Sequence, residues 1–214
     1  MIVEPLESIV TTAFPGQSLG IAHELIAAAQ SRLGLPLPEP LKDFYSVAGG
    51  SRDLLNADYR FLPPEKLRVD DDHLIFCGEN QGLESFGISL EPLRAGRPNP
   101  PVQVRSEKNP KWFGESGKLS AFLLGMTAWN VVLALPEKAR CPYPEDDLSK
   151  LFPRFEPVGE PKVRLGSQYF GLVDRSHSIV AAYVHTSQML YVGSPREDVL
   201  DELEQALGLD LDSL

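Results

Sequence analysis

The stretch Leu33-Gly34-Leu35-Pro36-Leu37-Pro38-Glu39-Pro40-Leu41-Lys42-Asp43-Phe44-Tyr45-Ser46-Val47-Ala48-Gly49-Gly50 decides how this chain folds. Gly34 follows a run of helix formers and can take the left-handed conformation that closes a helix. Pro40 sits where the first turn of the next helix wants a fixed φ and has no use for an N–H. Leu41, Phe44, Tyr45 and Ala48 then recur at helical spacing, and Gly49-Gly50 breaks the element. None of these side chains is a reactive group, so the stretch is architectural.

Working outward, Ser18 can cap a helix over Leu19 to Leu33, with Ile21, Leu25, Ala28, Ala29 and Leu33 on one face. Met1 to Gly16 reads as a loosely held lead-in, with Phe14 as an anchor. Downstream, Tyr59 to Leu62, Leu74 to Cys77, Ser85 to Ile88 and Val102 to Arg105 are short strand candidates, and Glu79-Asn80-Gln81-Gly82 suits a hairpin connection. A small antiparallel meander follows for the middle third. Ser120 opens a helix to about Leu135, with Phe122, Met126, Trp129, Val132 and Leu133 crowding its apolar side. From Glu137 to Pro161 the composition shifts to Pro and charge, as in a linker or a wrapping segment. Tyr169 to Val173 and Ile179 to Val184 flank a turn at Asp174-Arg175-Ser176-His177, and Met189 to Val192 adds a strand. Ser194-Pro195-Arg196-Glu197 reads as a capping box before a last helix that Gly208 ends.

The chain has 214 residues, 43% of them hydrophobic and 23% charged, enough for a sizeable core without staples. Leu119 to Leu135 is interrupted by Gly125, Thr127 and Asn130, so no run approaches the ~20 apolar residues of a membrane span. Acids stand near Met1 where a signal peptide carries Lys or Arg, which points to a cytoplasmic protein. The two cysteines, Cys77 and Cys141, make neither a disulfide framework nor a metal site, and Cys77 reads as an inert core thiol. A formal charge of −10 argues against nucleic acid. It fits solubility, and it equally fits a basic partner. No repeat of fixed period is visible.

The order helix, Leu33-Gly34-Leu35-Pro36, Pro40-Leu41-Lys42-Asp43-Phe44-Tyr45, Gly49-Gly50 and then a strand at Tyr59–Leu62 resembles the SUKH superfamily, whose founding members are the SMI/KNR-type proteins. The resemblance continues through Ile75-Phe76-Cys77-Gly78-Glu79-Asn80-Gln81-Gly82, Phe86-Gly87-Ile88, Pro100-Pro101-Val102 and Ser120-Ala121-Phe122-Leu123. It implies an α+β fold, an antiparallel sheet with helices packed around it, over residues 18 to 136. Residues 137 to 214 would then be a C-terminal extension, a strand hairpin and a final helix, packed on the first part. Bacterial members are regarded as immunity proteins that bind a cognate toxin domain and neutralise it; eukaryotic ones are treated as regulatory or scaffolding modules. No catalytic residue or cofactor comes with the family. The resemblance thus implies a non-enzymatic binding protein, with a scaffold for a housekeeping partner as the alternative.

The candidate chemistry is thin. Gly114-Glu115-Ser116-Gly117-Lys118 fails as a phosphate loop, because Trp112 and Leu119 stand where Gly and Ser or Thr belong. Asp70-Asp71-Asp72-His73 could suggest a metal, but neighbours in an extended segment point to opposite faces, which favours a solvated acidic loop or a patch for a basic partner. His23, His73, His177 and His185 are scattered, and Ser167 and Ser176 lack a nucleophile elbow. Trp112, on what reads as a Pro/Gly-bounded loop, is either a core plug, which the usual burial of large aromatics favours, or a contact anchor. From Glu197 to Leu214 the acids are Glu197, Asp198, Asp201, Glu202, Glu204, Asp210 and Asp212, with no Lys or Arg. An acidic face of this kind could steer a basic toxin domain. The residues placed on a partner face are therefore Asp70, Asp71, Asp72, Glu79, Glu84, Trp112, Asp201 and Glu202, with no metal or cofactor site.

Overall fold

The computed structural model describes residues 1–158 and 169–214. Pro161 and Ser167 lie outside the described residues. The fold is α+β, with helices layered between and around two antiparallel sheets.

The opening segment is not a loose lead-in. Val3–Ala13 forms helix α1, with Leu6, Ile9, Val10 and Ala13 buried at helical spacing, and Asp43 accepts the Ile2 N–H at 2.9 Å. Pro5 falls in its first turn, where no intrahelical N–H is needed. α2 runs from His23 to Leu33, later than Ser18 suggests, with no side-chain cap at Ala22. The reason lies in tertiary pairing. Leu19 and Ile21 are taken up by the end of α3 (Glu39–Ala48), through Gly50 N–H to the Leu19 carbonyl at 2.7 Å and Ile21 N–H to the Tyr45 carbonyl at 3.1 Å. The helix buries Ile26 and Ala29, while Leu25 is 54% exposed. Gly34 closes α2 at φ +64°, and Pro40 lies in the first turn of α3, both as the sequence indicates.

After the short α4 (Arg52–Leu55), the first sheet comprises β1 (Tyr59–Phe61), β2 (Arg68–Asp70), β3 (His73–Glu79) and β4 (Glu84–Ser89). After α5 (Leu90–Arg94) come β5 (Val102–Ser106) and β6 (Asn109–Ser116). Its order is β1-β3-β4-β5-β6, with β2 also on β3. The stretch around Trp112 is thus a strand rather than a loop. α6 (Leu119–Ala134) is buried nearly all round, not on one side: Phe122 meets Phe76 and Phe86 of the first sheet, while Ala128, Val131 and Val132 share a core with Val173, Val180 and Ala182 of the second. Asn130 on this helix is fully buried and satisfied, accepting from Tyr59 N–H and donating to the carbonyls of Leu54 and Tyr59.

The Pro- and charge-rich stretch after α6 is no linker. It supplies β7 (Glu137–Pro142), paired on both sides within the second sheet, a 3-10 turn at Glu145–Leu151 and β8 (Glu156–Val158). β8 is an edge strand, the position in a sheet where a proline such as Pro157 is tolerated. β9 (Tyr169–Asp174), β10 (Ile179–Val184), β11 (Met189–Ser194) and, after helix α7, β12 (Asp212–Ser213) complete the order β12-β7-β11-β10-β9-β8. α7 spans Val199–Leu207 with Asp198 at its start and φ +65° there; Ser194 belongs to β11 and accepts the Arg196 N–H instead of capping the helix. Gly208 ends α7 as expected.

Candidate functional site

Strand alternation assigns the two faces of the first sheet. Phe76, Phe86, Ile88 and Val102 point into the core under α3 and α6, so Ile75, Gly87, Gln103 and Arg105 point out. Ile75 is 1% exposed yet belongs to neither hydrophobic cluster. Trp112 covers this side of the sheet. A Cβ at Gly87 would stand 3.1 Å from the Trp112 ring and 3.2 Å from His73 and Ile75, tighter than ordinary contact, so a side chain there would push the indole outward by a few tenths of an ångström. The indole stacks on His73 with centroids 4.0 Å apart and planes 15° apart, and the Arg105 guanidinium lies 4.9 Å from the Trp112 centroid. Its N–H donates to the Asp71 carboxylate at 3.1 Å.

The partners of Trp112 are themselves fixed. His73 Nδ1 is 2.6 Å from the Asp71 carbonyl, which can only accept, so Nδ1 carries the proton. Nε2 lies 2.7 Å from the Gln103 amide, which can turn either end toward the ring. Arg105 pairs with Asp70. Asp71 and Asp72 are not extended. They are the two central residues of the β2–β3 hairpin, with φ +48° and +54°, the positive pair a type I′ turn requires and Asp tolerates. That turn sends the Asp71 side chain to the indole and commits the Asp72 carbonyl to the Leu90 N–H.

Three of the sequence-selected residues, Asp70, Asp71 and Trp112, therefore meet. Trp112 is a partly buried lid on the open face, neither a core plug nor a free loop anchor. At the other end of β3 and β4, Glu79 braces the hairpin by accepting the N–H groups of Gln81 and Leu83. Partial burial, with Glu79 nearby, pushes the Glu84 carboxyl above its ordinary range. By the alternation above, Glu79, paired with Tyr59, and Glu84, two residues before Phe86, fall on the helix-facing side and not with Trp112. On the open side of this same end a cleft of about 250 Å³ is lined by Leu83, Ser85, Arg105 and Pro110, and Leu83 is 46% exposed. Asp201 and Glu202 lie elsewhere, on α7 against the far face of the second sheet. His73, Gln103, Arg105 and Gly87 complete the site. The alternation Val102-Gln103-Val104-Arg105 places two of them on one face, and a glycine inside a strand signals a close approach.

One further constellation invites a catalytic reading. Asp174, 3% exposed, accepts from Arg154 Nε at 2.9 Å, Ser176 Oγ at 2.6 Å and His177 Nδ1 at 2.7 Å. Burial would raise this carboxyl, but the hydrogen bonds from Ser176, Arg154 and His177 outweigh it and hold the group below its ordinary value. A Ser-His-Asp triad needs the hydroxyl on Nε2 and the carboxylate on Nδ1; here Ser176 shares the carboxylate and Nδ1, so the imidazole relays nothing to it. The Ser176 and His177 N–H groups also bind Asp174, which makes this a turn brace. Cys77 is buried, and desolvation raises its thiol well above the usual value, so it stays protonated. Among the described residues no three His, Cys, Asp or Glu side chains are grouped to hold a metal ion, and no helix is long and apolar enough to cross a membrane.

Comparison of the chain with protein-family models, with curated proteins and with solved structures gives no significant match.

Proposed function

We propose that this protein is a non-enzymatic, cytoplasmic binding protein of the SUKH type, an immunity protein that neutralises a cognate toxin domain by covering it. The observation that carries the reading is Trp112. It is a large aromatic held flat on the uncovered face of the first sheet by a stack, a hydrogen bond and a glycine floor. A side chain so fixed loses little rotamer freedom on binding, which is what an interface anchor requires. Asp70 and Asp71 at one end give this face carboxylates that suit a basic partner, as does the net charge of −10. The order of motifs from Leu33 to Phe122 supports the family.

The test is a pull-down from native cells with tagged full-length protein and its Trp112→Ala variant, at low and moderate salt. The reading expects one abundant basic protein encoded beside this gene, weakened by salt and lost with Trp112. Co-expression with that protein should then restore growth. A housekeeping partner on the same face would favour a scaffold, and capture that is indifferent to Trp112 would sink the site.

A further inference from the structure

A second cleft, of about 430 Å³, lies away from the Trp112 face, and none of its lining residues belongs to the first sheet. Its floor is apolar, made by Val10 of α1, Leu19 and Val47. One wall is the stripe Glu4, Glu7 and Thr11 of α1, spaced to share a helix side. The loop wall is fixed in place: a Cβ on Gly20 would stand 1.8 Å from the Ser46 carbonyl oxygen, so glycine alone permits this packing. Glu4 and Glu7 are exposed and, among the described residues, form no ion pair. The opposite wall carries Arg175, already engaged by the Ser8 hydroxyl at 3.0 Å and by Glu156 at 3.2 Å. The C-terminal end of α3 also borders the cleft, its last turn holds no basic residue, and a helix C-terminus favours a cation.

An apolar floor under two unpaired carboxylates and a helix C-terminus is complementary to one kind of group, an aliphatic stem ending in a positive charge. We infer that this cleft seats an arginine or lysine side chain of a protein partner, the stem on Val10, Leu19 and Val47 and the cation on Glu4 and Glu7. As a contact with a basic partner the inference rests on the reading above. The titration below addresses the cleft alone and the co-expression assay addresses that reading alone, so the two failures are distinguishable.

The experiment titrates isotope-labelled full-length protein with acetyl-Ala-Arg-Ala-amide at low salt and follows backbone amides. The expected result is saturable shifts confined to residues around Val10, Gly20 and Val47. The joint variant Glu4→Gln/Glu7→Gln should weaken them at least tenfold. Thr11→Lys, an exposed position, should abolish them by placing an ammonium in the cleft. Shifts spread over the acids of α7, binding unchanged in both variants, or spermidine binding tighter than the peptide would each overturn the inference.

Discussion

The two sheets of this molecule answer the same problem differently. In the second sheet, every residue of β9 and β10 is buried, because one face meets α1 and α6 while the other is covered by α7, the 3-10 turn and Phe155. In the first sheet only the face toward α3 and α6 is covered by helices, and the other carries His73, Gln103, Arg105 and Trp112. A sheet closed on both sides has nothing left to offer a partner. An open face can be spent on recognition, so the side chains that look functional gather on the first sheet.

The largest expected effect addresses whether the sheets are separable at all. Phe122 is fully buried, and its ring touches Phe76 and Phe86, while its helix packs on β9 and β10. Phe122→Ala should cost about 4 kcal/mol. Urea unfolding should remain one transition whether followed by tryptophan fluorescence or by circular dichroism, with its midpoint lowered. Two separated transitions would mean that the sheets are independent units and that the shared core counts for little.

The next contrast is between two acid–arginine pairs, one in each sheet. Asp70–Arg105 lies on the open face, with the Asp70 side chain 46% exposed, whereas the Asp174 side chain beside Arg154 is 2% exposed. Asp174→Ala should cost about 3 kcal/mol at neutral pH, because it strands a partly buried guanidinium and four further donors. Asp70→Ala should cost under about 1 kcal/mol. The pH dependence differs as well. Asp174 titrates below its ordinary value, so its stabilisation is present above the unfolded pKa of about 3.9 and is lost as the pH falls through the lower folded value. The gap between wild type and Asp174→Ala should therefore narrow in acid, measured by urea midpoints at pH 7 and pH 3.

How much of this was legible depended on whether a segment carries its own instructions. Gly34, Pro40 and Gly208 act locally, and each does in the fold what its chemistry dictates. The β9–β10 hairpin was equally readable from its apolar runs. α1 was not, since its Leu6, Ile9, Val10 and Ala13 stripe is short and sits among acids, and its start depends on Asp43, distant in sequence. Ser18 and Ser194 looked like caps, but pairing with α3 and membership of β11 took precedence over local propensity. The candidate site was half legible. Asp70, Asp71 and Trp112 were picked individually; that a type I′ turn and the glycine at 87 bring them together needs the strand register, which single-sequence patterns do not carry.

Trp112→Ala sharpens the contrast between anchoring and stability. Trp112 is only partly buried, and it covers Ile75 on the open face and not in the main core. The variant should lose about 1 kcal/mol of stability, far less than Phe122→Ala, yet about 2 kcal/mol or more of partner affinity. Calorimetry with the captured partner and a urea titration on the same sample measure both. Equal losses in the two would make Trp112 a packing residue and nothing more.

The smallest expected effect has the opposite sign. Glu84 is partly buried near Glu79, and both burial and that neighbour oppose its ionisation. At neutral pH the ionised carboxyl costs stability, so Glu84→Gln should stabilise the protein by a few tenths of a kcal/mol, a figure kept small by solvent screening. The gain should be full above the raised folded pKa and should vanish below the unfolded value of about 4.3, where Glu84 is neutral in both states. Because Glu84 stands on the helix-facing side, the same variant should bind a partner of the Trp112 face as tightly as the wild type while unfolding later. If Glu84→Gln does not stabilise the free protein, solvent already screens this carboxyl; if it weakens the complex, recognition is not confined to the open face that carries Trp112.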